Sequence, residues 1–118
     1  MRAKDAVGQY GEEIAAEFLR DAGFAILERN WRCELGEIDI VARDGAALVI
    51  CEVKTRRGLD FGSPLEAVTY DKLRRLRRLA GQWLREHDLR PAAVRIDVVG
   101  VIRPRTGPVQ VEHVRGVA

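Results

Sequence analysis

The sequence has no long uninterrupted hydrophobic segment and few cysteines. None of its apolar runs approaches the roughly 20 residues of a membrane-spanning helix, so we expect no membrane association of that kind. Residues 1–10 contain no apolar segment typical of a secretory signal peptide. Cys33 and Cys51 are not spaced as metal ligands, and without an export signal we expect both to be reduced thiols in a cytoplasmic protein.

The sequence also lacks a strong excess of charge of either sign. Twenty Lys and Arg against 18 Asp and Glu give a formal charge of +2 at pH 7, so total charge alone does not require a nucleic-acid partner. With 118 residues, 47% of them hydrophobic, the chain can form one core but not two. We therefore expect a single domain over residues 1–118, with its core at about 5–102 and an edge strand at about 109–114.

The most informative stretch runs from Gly36 to Arg56. Two apolar runs, 36–42 and 48–56, flank Asp44-Gly45, and charged residues are set into both runs at alternate positions. Side chains alternate between the faces of a strand, so the pattern predicts a hairpin. One face of the first strand carries Glu37, Asp39 and Val41. One face of the second carries Leu48, Ile50, Glu52, Lys54 and Arg56.

Two loop lengths keep Asp39 and Glu52 on the same side of this hairpin. A two-residue type I′ turn at Asp44-Gly45 puts Asp39 opposite Ile50 and makes Asp39 and Glu52 diagonal neighbours. A four-residue loop at 44–47 puts Asp39 directly opposite Glu52. An odd-length loop separates the two carboxylates, because a slip of one residue reverses the faces of a strand.

Packing gives no reason to place Asp39, Glu52 and Lys54 together. Neighbouring carboxylates repel, and burying them is unfavourable without a compensating partner. A divalent cation is such a partner, since Mg²⁺ typically uses one or two carboxylates plus substrate phosphates. The Val53 carbonyl can add a ligand, and Lys54 can assist an attacking water or stabilise phosphate charge. The alternative is a solvated strand face with a simple Glu–Lys pair.

These residues resemble the D…(D/E)XK signature of the PD-(D/E)XK nuclease superfamily, with Asp39 followed by Glu52-Val53-Lys54. A longer ordered set, spanning about residues 8–101, is similar to the YraN-like family of bacterial proteins. That set is Gly11-Glu12, Arg29-Asn30, 36–39, 52–56, Phe61-Gly62 and 95–99. The resemblance implies an α/β restriction-endonuclease-like fold with an αβββαβ core. Its central mixed sheet is flanked by helices, as in archaeal Holliday-junction resolvases.

The resemblance further implies a metal-dependent endonuclease that hydrolyses phosphodiesters of DNA, including branched or structured DNA, with Mg²⁺ or Mn²⁺. In that pattern Asp39, Glu52 and Lys54 are catalytic, and Asp39 and Glu52 bind the metal. Glu12 and Glu37 lie near it, although Glu12 can equally belong to a solvated acidic face. Related resolvases act as dimers, so a homodimer is implied as well. The alternative is a protein that binds nucleic acid or a partner on the same fold without cutting.

The remaining elements follow from hydrophobic periodicity and capping residues. We predict helices at 5–22 and 63–86, the first with Asp5 as N-cap and Gly23 as C-terminal stop. The second has a capping box of Ser63, Pro64 and Glu66. Strands are predicted at 24–31, 94–102 and 109–114, with Trp31 in the core, an ion pair between Arg95 and Asp97, and His113 on the surface.

Basic residues near the predicted hairpin and on the second helix are candidates for nucleic-acid contacts. Arg56 and Arg57 begin a glycine-containing loop at 57–62, which is a candidate mobile loop over a substrate. Arg74 and Arg78 lie on the outer face of the helix, where they can equally form a solvated surface. Lys72 lies at the edge of the apolar stripe and can turn toward the site. His87 lies alone at the helix end, outside the predicted site.

Overall fold

The computed structural model describes residues 6–58 and 64–117. They form two α-helices, five strands and one short 3₁₀ helix. In chain order the elements are α1 (Ala6–Asp21), β1 (Ala25–Cys33), β2 (Gly36–Asp44), β3 (Ala47–Arg56), the 3₁₀ helix (Pro64–Ala67), α2 (Tyr70–Glu86), β4 (Ala93–Ile102) and β5 (Gln110–Val114). The predicted αβββαβ order is therefore confirmed, with one further strand. No helix in these described ranges has the length and hydropathy needed to span a membrane.

The five strands form one mixed sheet in the order β1-β2-β3-β4-β5. Only β3 and β4 run parallel, and they are joined through α2; the other neighbours are antiparallel. A parallel pair needs such a crossover because its strands start from the same end of the sheet. The mixed sheet and the edge position of β5 agree with the sequence predictions.

A helix covers each face of the sheet, and the apolar residues divide accordingly into two clusters. On the α1 side, Leu19 packs with Ile40, Val49 and Cys51. On the α2 side, Leu79 packs with Val41, Leu48, Ile50 and other core residues. Along β3, odd-numbered residues therefore face α1 and even-numbered residues face α2, so Glu52 and Lys54 lie on the α2 side.

The end of α1 is set by glycine. Gly23 has φ 95°, a conformation that residues with a side chain rarely adopt. Phe24 N–H donates to the Leu19 carbonyl at 2.9 Å and Gly23 N–H to the Arg20 carbonyl at 3.0 Å, as in a Schellman motif. The predicted stop at Gly23 is confirmed, whereas the predicted N-cap Asp5 lies outside the described residues.

The second helix begins later than predicted. Residues Pro64–Ala67 form only a 3₁₀ turn, and α2 starts at Tyr70 with Thr69 as its N-cap. The Thr69 hydroxyl accepts a hydrogen bond from the Lys72 N–H at 3.1 Å. The prediction of one helix over 63–86 was wrong because the chain contains a second capping residue, and the extended Thr69 backbone interrupts the helix. Ser63, the predicted cap, lies outside the described residues.

The turn between β2 and β3 also differs from the first predicted register. Asp44 pairs with Ala47, so the turn residues are Gly45 and Ala46 rather than Asp44 and Gly45. Gly45 has φ 60°, and within the described ranges Asn30 is the one non-glycine residue with positive φ. This fits a type II′ turn, which prefers Gly at its first central position. The strands consequently take the register of the predicted four-residue alternative, and the type I′ prediction was wrong.

A buried charge network joins β4, β5 and the segment that follows β5. Asp97, which is fully buried, accepts hydrogen bonds from Arg95 at 2.9 and 3.1 Å and from the Gly116 N–H at 3.0 Å. His113 lies 2.8 Å from the same carboxylate, with its side chain 7% exposed. The Arg95–Asp97 pair was predicted; the surface position of His113 was wrong because its ring packs against Phe18 and Phe24.

Candidate active site

The register of β2 and β3 brings Asp39 and Glu52 to facing positions. Backbone pairing runs from Asp44↔Ala47 to Ile40↔Cys51, and the next residues on the two strands are Asp39 and Glu52. There the Asp39 carboxylate accepts a hydrogen bond from the Val53 N–H at 2.9 Å. A side chain thus takes the place of a backbone carbonyl where the two strands separate.

The side chains of β2 stop alternating regularly between the two faces of the sheet at this point. Strict alternation would put Ile38 and Ile40 on one face, but Ile38 packs on the α2 side and Ile40 on the α1 side. Between the paired positions Arg29↔Ile40 and Trp31↔Ile38, Asn30 of β1 has φ 54°. Asn tolerates this left-handed conformation better than most residues. Strict alternation along β2 is therefore interrupted between Ile38 and Ile40, at Asp39.

Glu52 is the buried centre of a charged cluster. It is 4% exposed, and two lysines approach the same oxygen, with Lys54 Nζ at 3.0 Å and Lys72 Nζ at 3.4 Å from Oε2. Burial raises the pKa of the Glu52 carboxyl, and the negative charge of Asp39 raises it further. The two ammonium groups lower the pKa but do not cancel that rise. The site therefore holds two adjacent carboxylates, with both lysines directed at Glu52.

Lys72 reaches this site from α2, the helix between β3 and β4. The predicted nucleic-acid contact is held in the first turn of α2, where its backbone N–H is capped by Thr69, while its side chain reaches Glu52. The sequence indicated that Lys72 could turn toward the site, and the structure confirms this direction. Whether it contacts nucleic acid stays a prediction.

Glu12 lies on the buried side of α1 rather than on a solvated face. It is 3% exposed. The preceding residue, Gly11, lies so close to β3 that an added Cβ would overlap the Thr55 side chain. Of the two sequence interpretations, the inward one is favoured, and a role beside a metal stays a prediction.

Glu37 interacts with an arginine of β1, and its implied place near a metal stays a prediction. Its carboxylate forms an ion pair with Arg32 Nε at 3.3 Å. The charged groups that act on Glu52 are Asp39, Lys54 and Lys72. Glu37 instead lines a neighbouring surface pocket, which it shares with Lys72.

The predicted arginines lie around this cluster at different depths. Arg56 is half-buried at the end of β3, and its guanidinium donates to the Thr55 carbonyl at 3.3 Å. Arg57, Arg74 and Arg78 are exposed. Most of the predicted loop at 57–62, including Phe61-Gly62, lies outside the described residues. Nucleic-acid contacts by these arginines stay predictions.

The donor set fits a divalent cation held by two carboxylates. Across residues 6–58 and 64–117, no group of three or more His, Cys, Asp or Glu side chains is arranged to hold a metal ion. Asp39 and Glu52 form a pair instead, and Mg²⁺ is commonly held by one or two carboxylates with water and substrate oxygens. The raised pKa of Glu52 indicates that a further positive charge would stabilise the pair.

Together, these features define an α/β protein whose mixed sheet carries a buried Asp and Glu with a half-buried Lys at the point where the central hairpin separates. A family model described as "Uncharacterised protein family UPF0102" matches residues 11–101, and the chain belongs to this family.

Relatives in the same family match almost the full chain. A UPF0102 protein of Kineococcus radiotolerans is 60% identical over 119 residues, covering 100% of this chain and 98% of the relative. One from Frankia alni is 61% identical over 116 residues, covering 98% and 97%. Among solved structures, "Structure of EndoMS-dsDNA2 complex" is similar at 23% identity with a TM-score of 0.40. That alignment covers 91% of this chain and 43% of the other.

Proposed function

We propose that this protein is a divalent-cation-dependent endonuclease that hydrolyses DNA phosphodiesters, with branched or otherwise structured DNA as its substrate. The observation that carries the proposal is the pair of adjacent carboxylates at Asp39 and Glu52, with two lysines directed at Glu52. Burying these charges lowers the free energy of unfolding. A bound cation would offset this cost, so the cluster is explained by a binding site better than by packing.

The residues divide into those that hold a cation and those that hold the phosphate. Asp39 and Glu52 would hold Mg²⁺ or Mn²⁺, with Glu12 and Glu37 as proposed neighbours. When bound, such a cation activates water and neutralises charge on the phosphate. Lys54 lies 3.0 Å from Glu52, so its ammonium group can donate to an oxygen of a phosphate bound beside the pair. In the reaction, a water oxygen would bond to phosphorus while the bond from phosphorus to the sugar oxygen in line with it, in the same strand, breaks; the water would lose a proton and the leaving sugar oxygen would gain one.

A second candidate is a protein that binds nucleic acid without cutting it. This candidate is favoured by one observation: both lysines already lie on Glu52 Oε2, so much of its charge is compensated within the described chain. A binding protein would need no more than this compensation. The two candidates differ in whether the protein cuts DNA and, if it does, whether the cutting requires the carboxylates.

The proposal is tested by a cleavage assay on labelled linear duplex, single strand, flap and four-way junction, each with Mg²⁺ or Mn²⁺. We expect cutting of a branched substrate by the wild-type protein. Glu52→Ala should reduce the rate by at least about 10³-fold, because both the cation site and the partner of Lys54 are lost.

The matched control is Glu13→Ala, which removes an exposed carboxylate from the same protein. It should cut like the wild type. If wild type and Glu52→Ala cut equally, the cutting does not depend on this pair of carboxylates and the proposed active site is wrong. If neither cuts any substrate while both bind DNA, the binding candidate replaces the nuclease proposal.

A further inference from the structure

A second cationic feature lies beside the Asp39–Glu52 pair. A surface pocket of about 370 Å³ is formed between the β1–β2 turn and the first turns of α2. Its lining residues are Arg32, Cys33, Gly36, Glu37, Lys72 and Arg75. Three cations therefore face one carboxylate in a concave, mainly polar space.

Lys72 belongs to both the pocket and the candidate active site. Its Nζ lies 3.4 Å from Glu52 Oε2, and its side chain forms part of the pocket wall. The pocket thus begins about one side chain away from the buried carboxylates. A strand whose scissile phosphate lay at Asp39 and Glu52 would have a neighbouring phosphate at this distance along its backbone.

Arg75 supplies the guanidinium best suited to an anion. Its aliphatic stem lies against Gly36, at the start of β2. Within residues 6–58 and 64–117, its guanidinium takes part in no ion pair or hydrogen bond. Arg32, in contrast, pairs with Glu37 at 3.3 Å. A guanidinium with no carboxylate partner in the described part of the chain is well matched to phosphate, which it can bind through two parallel hydrogen bonds.

We propose that the pocket of Arg32, Lys72 and Arg75 binds a backbone phosphate of the DNA strand that enters the active site. This inference rests on the proposed function, because it places a nucleic-acid strand at Glu52. It assigns to Arg75 the positioning role that the sequence suggested for Arg74 and Arg78. Phosphate contacts of this kind fix the position of a strand without reading its sequence.

The test is DNA binding in EDTA, so that cutting cannot contribute. Fluorescence anisotropy with a labelled four-way junction and a labelled duplex is measured for wild type, Arg75→Gln, Arg75→Lys and Arg77→Gln. Arg77 is an exposed arginine of the same helix, roughly 200° around the axis from Arg75, and therefore a matched charge control.

We expect Arg75→Gln to weaken binding about tenfold and to lower the slope of log affinity against log salt by about 1. Arg75→Lys should restore only part of the affinity lost in Arg75→Gln, because an ammonium group keeps the charge but not the two parallel hydrogen bonds. Arg77→Gln should change the affinity less than about twofold. Equal losses for Arg75→Gln and Arg77→Gln would overturn the proposal, because total charge would then explain the binding. Unchanged binding by Arg75→Gln, or no binding by wild type, would overturn it as well.

Inorganic phosphate, titrated in a thermal-shift assay, separates a strand phosphate from a free anion. Phosphate that stabilises wild type but not Arg75→Gln, with DNA affinity unchanged, would identify a free-anion pocket and contradict a strand contact. Failure of the nuclease proposal is read independently, from Glu52→Ala in the cleavage assay. A protein that binds DNA through Arg75 but never cuts would retain the pocket and lose only the catalytic proposal.

Discussion

Glu52 carries a charge in a position where its surroundings oppose ionisation. Burial raises its pKa, as does the neighbouring charge of Asp39, and Lys54 and Lys72 offset only part of that effect. A carboxyl group whose pKa is higher in the folded than in the unfolded chain lowers the free energy of unfolding at neutral pH. The reason is that its ionisation is more favourable in the unfolded chain. The free energy of unfolding should therefore increase when this carboxylate is made neutral.

The first prediction is that Glu52→Gln stabilises the protein in EDTA at pH 7. We expect a gain of about 1 kcal/mol in the free energy of unfolding, because the amide keeps the shape of the side chain but not its charge. Urea unfolding with matched m-values measures the gain. Glu13→Gln, at an exposed position, should change stability by less than about 0.5 kcal/mol. A loss of stability in Glu52→Gln would mean that the lysines make the ionised form favourable.

At this scale the sequence indicated which residues cluster better than it indicated their geometry. The alternate positions of Asp39, Glu52 and Lys54 were enough to predict one cluster, because a strand has a period of two. The positive φ of Asn30 could not be predicted from its neighbours, since β1 reads as a continuous strand. Asn30 lies beside the point at which the side chains of β2 stop alternating. The one local indication of its positive φ was the residue type, because Asn adopts this conformation more readily than most residues.

Among the elements, α1 approaches β3 closely at one point. Gly11 of α1 lies against Thr55 of β3, and Glu12 follows it on the buried side of the helix. The absence of a side chain at Gly11 lets the helix backbone approach the strand that carries Glu52 and Lys54. Helix position and site geometry are therefore coupled through this contact.

The second prediction compares two glycines in helices. Gly11→Ala should destabilise the protein by about 1–3 kcal/mol, because its Cβ would overlap the Thr55 side chain. Gly81→Ala in α2 should stabilise it by about 0.5–1 kcal/mol, since an added Cβ would meet the flexible end of Arg85 at an ordinary contact distance of 3.6 Å. Thermal unfolding measures both changes. Thr55→Ala should recover part of the loss in Gly11→Ala, and additive effects in this double variant would contradict the contact.

The extents of the elements were predictable where one signal acted alone. Gly23 is the sole stop signal after α1, and the helix ends there as expected. Two signals competed before α2, at Ser63 and at Thr69, and periodicity could not choose between them. The hairpin turn was misassigned for a similar reason, because Asp44-Gly45 and Gly45-Ala46 both place Gly45 in a two-residue turn. A type I′ turn at Asp44-Gly45 needs positive φ at both residues, whereas a type II′ turn at Gly45-Ala46 has Gly at its first position.

In the whole molecule, Asp97 connects parts of the chain that are far apart in sequence. Arg95 binds both Asp97 and Asp44, while His113 and the Gly116 N–H bind Asp97 from β5 and the segment after it. Burial opposes ionisation of Asp97, but hydrogen bonds from Arg95, Gly116 and His113 outweigh it and hold its pKa below the usual range. The hydrogen bond from Arg95 to Asp97 in turn raises the pKa of the guanidinium.

The third prediction concerns the stability of this network as pH changes. Because the pKa of Asp97 is lower in the folded chain than in the unfolded chain, its contribution is complete above the unfolded value of about 3.9. The contribution is lost as pH falls through the folded value. Asp97→Asn should lower the free energy of unfolding by about 3 kcal/mol at pH 7, and its difference from wild type should shrink below pH 4. Urea unfolding at pH 7, 5 and 3 tests this, and a constant difference would contradict it.

The most direct test of the central claim is whether Asp39 and Glu52 hold a divalent cation together. The thermal midpoint is measured with EDTA, Mg²⁺ and Mn²⁺ for wild type, Asp39→Asn, Glu52→Gln and the control Glu13→Gln. A cation at 100 times its dissociation constant should stabilise wild type and control by about 2.7 kcal/mol, which is a rise of about 10 °C. Neither site variant should respond. An equal rise in all four proteins, or none in wild type, would contradict a cation site at this pair.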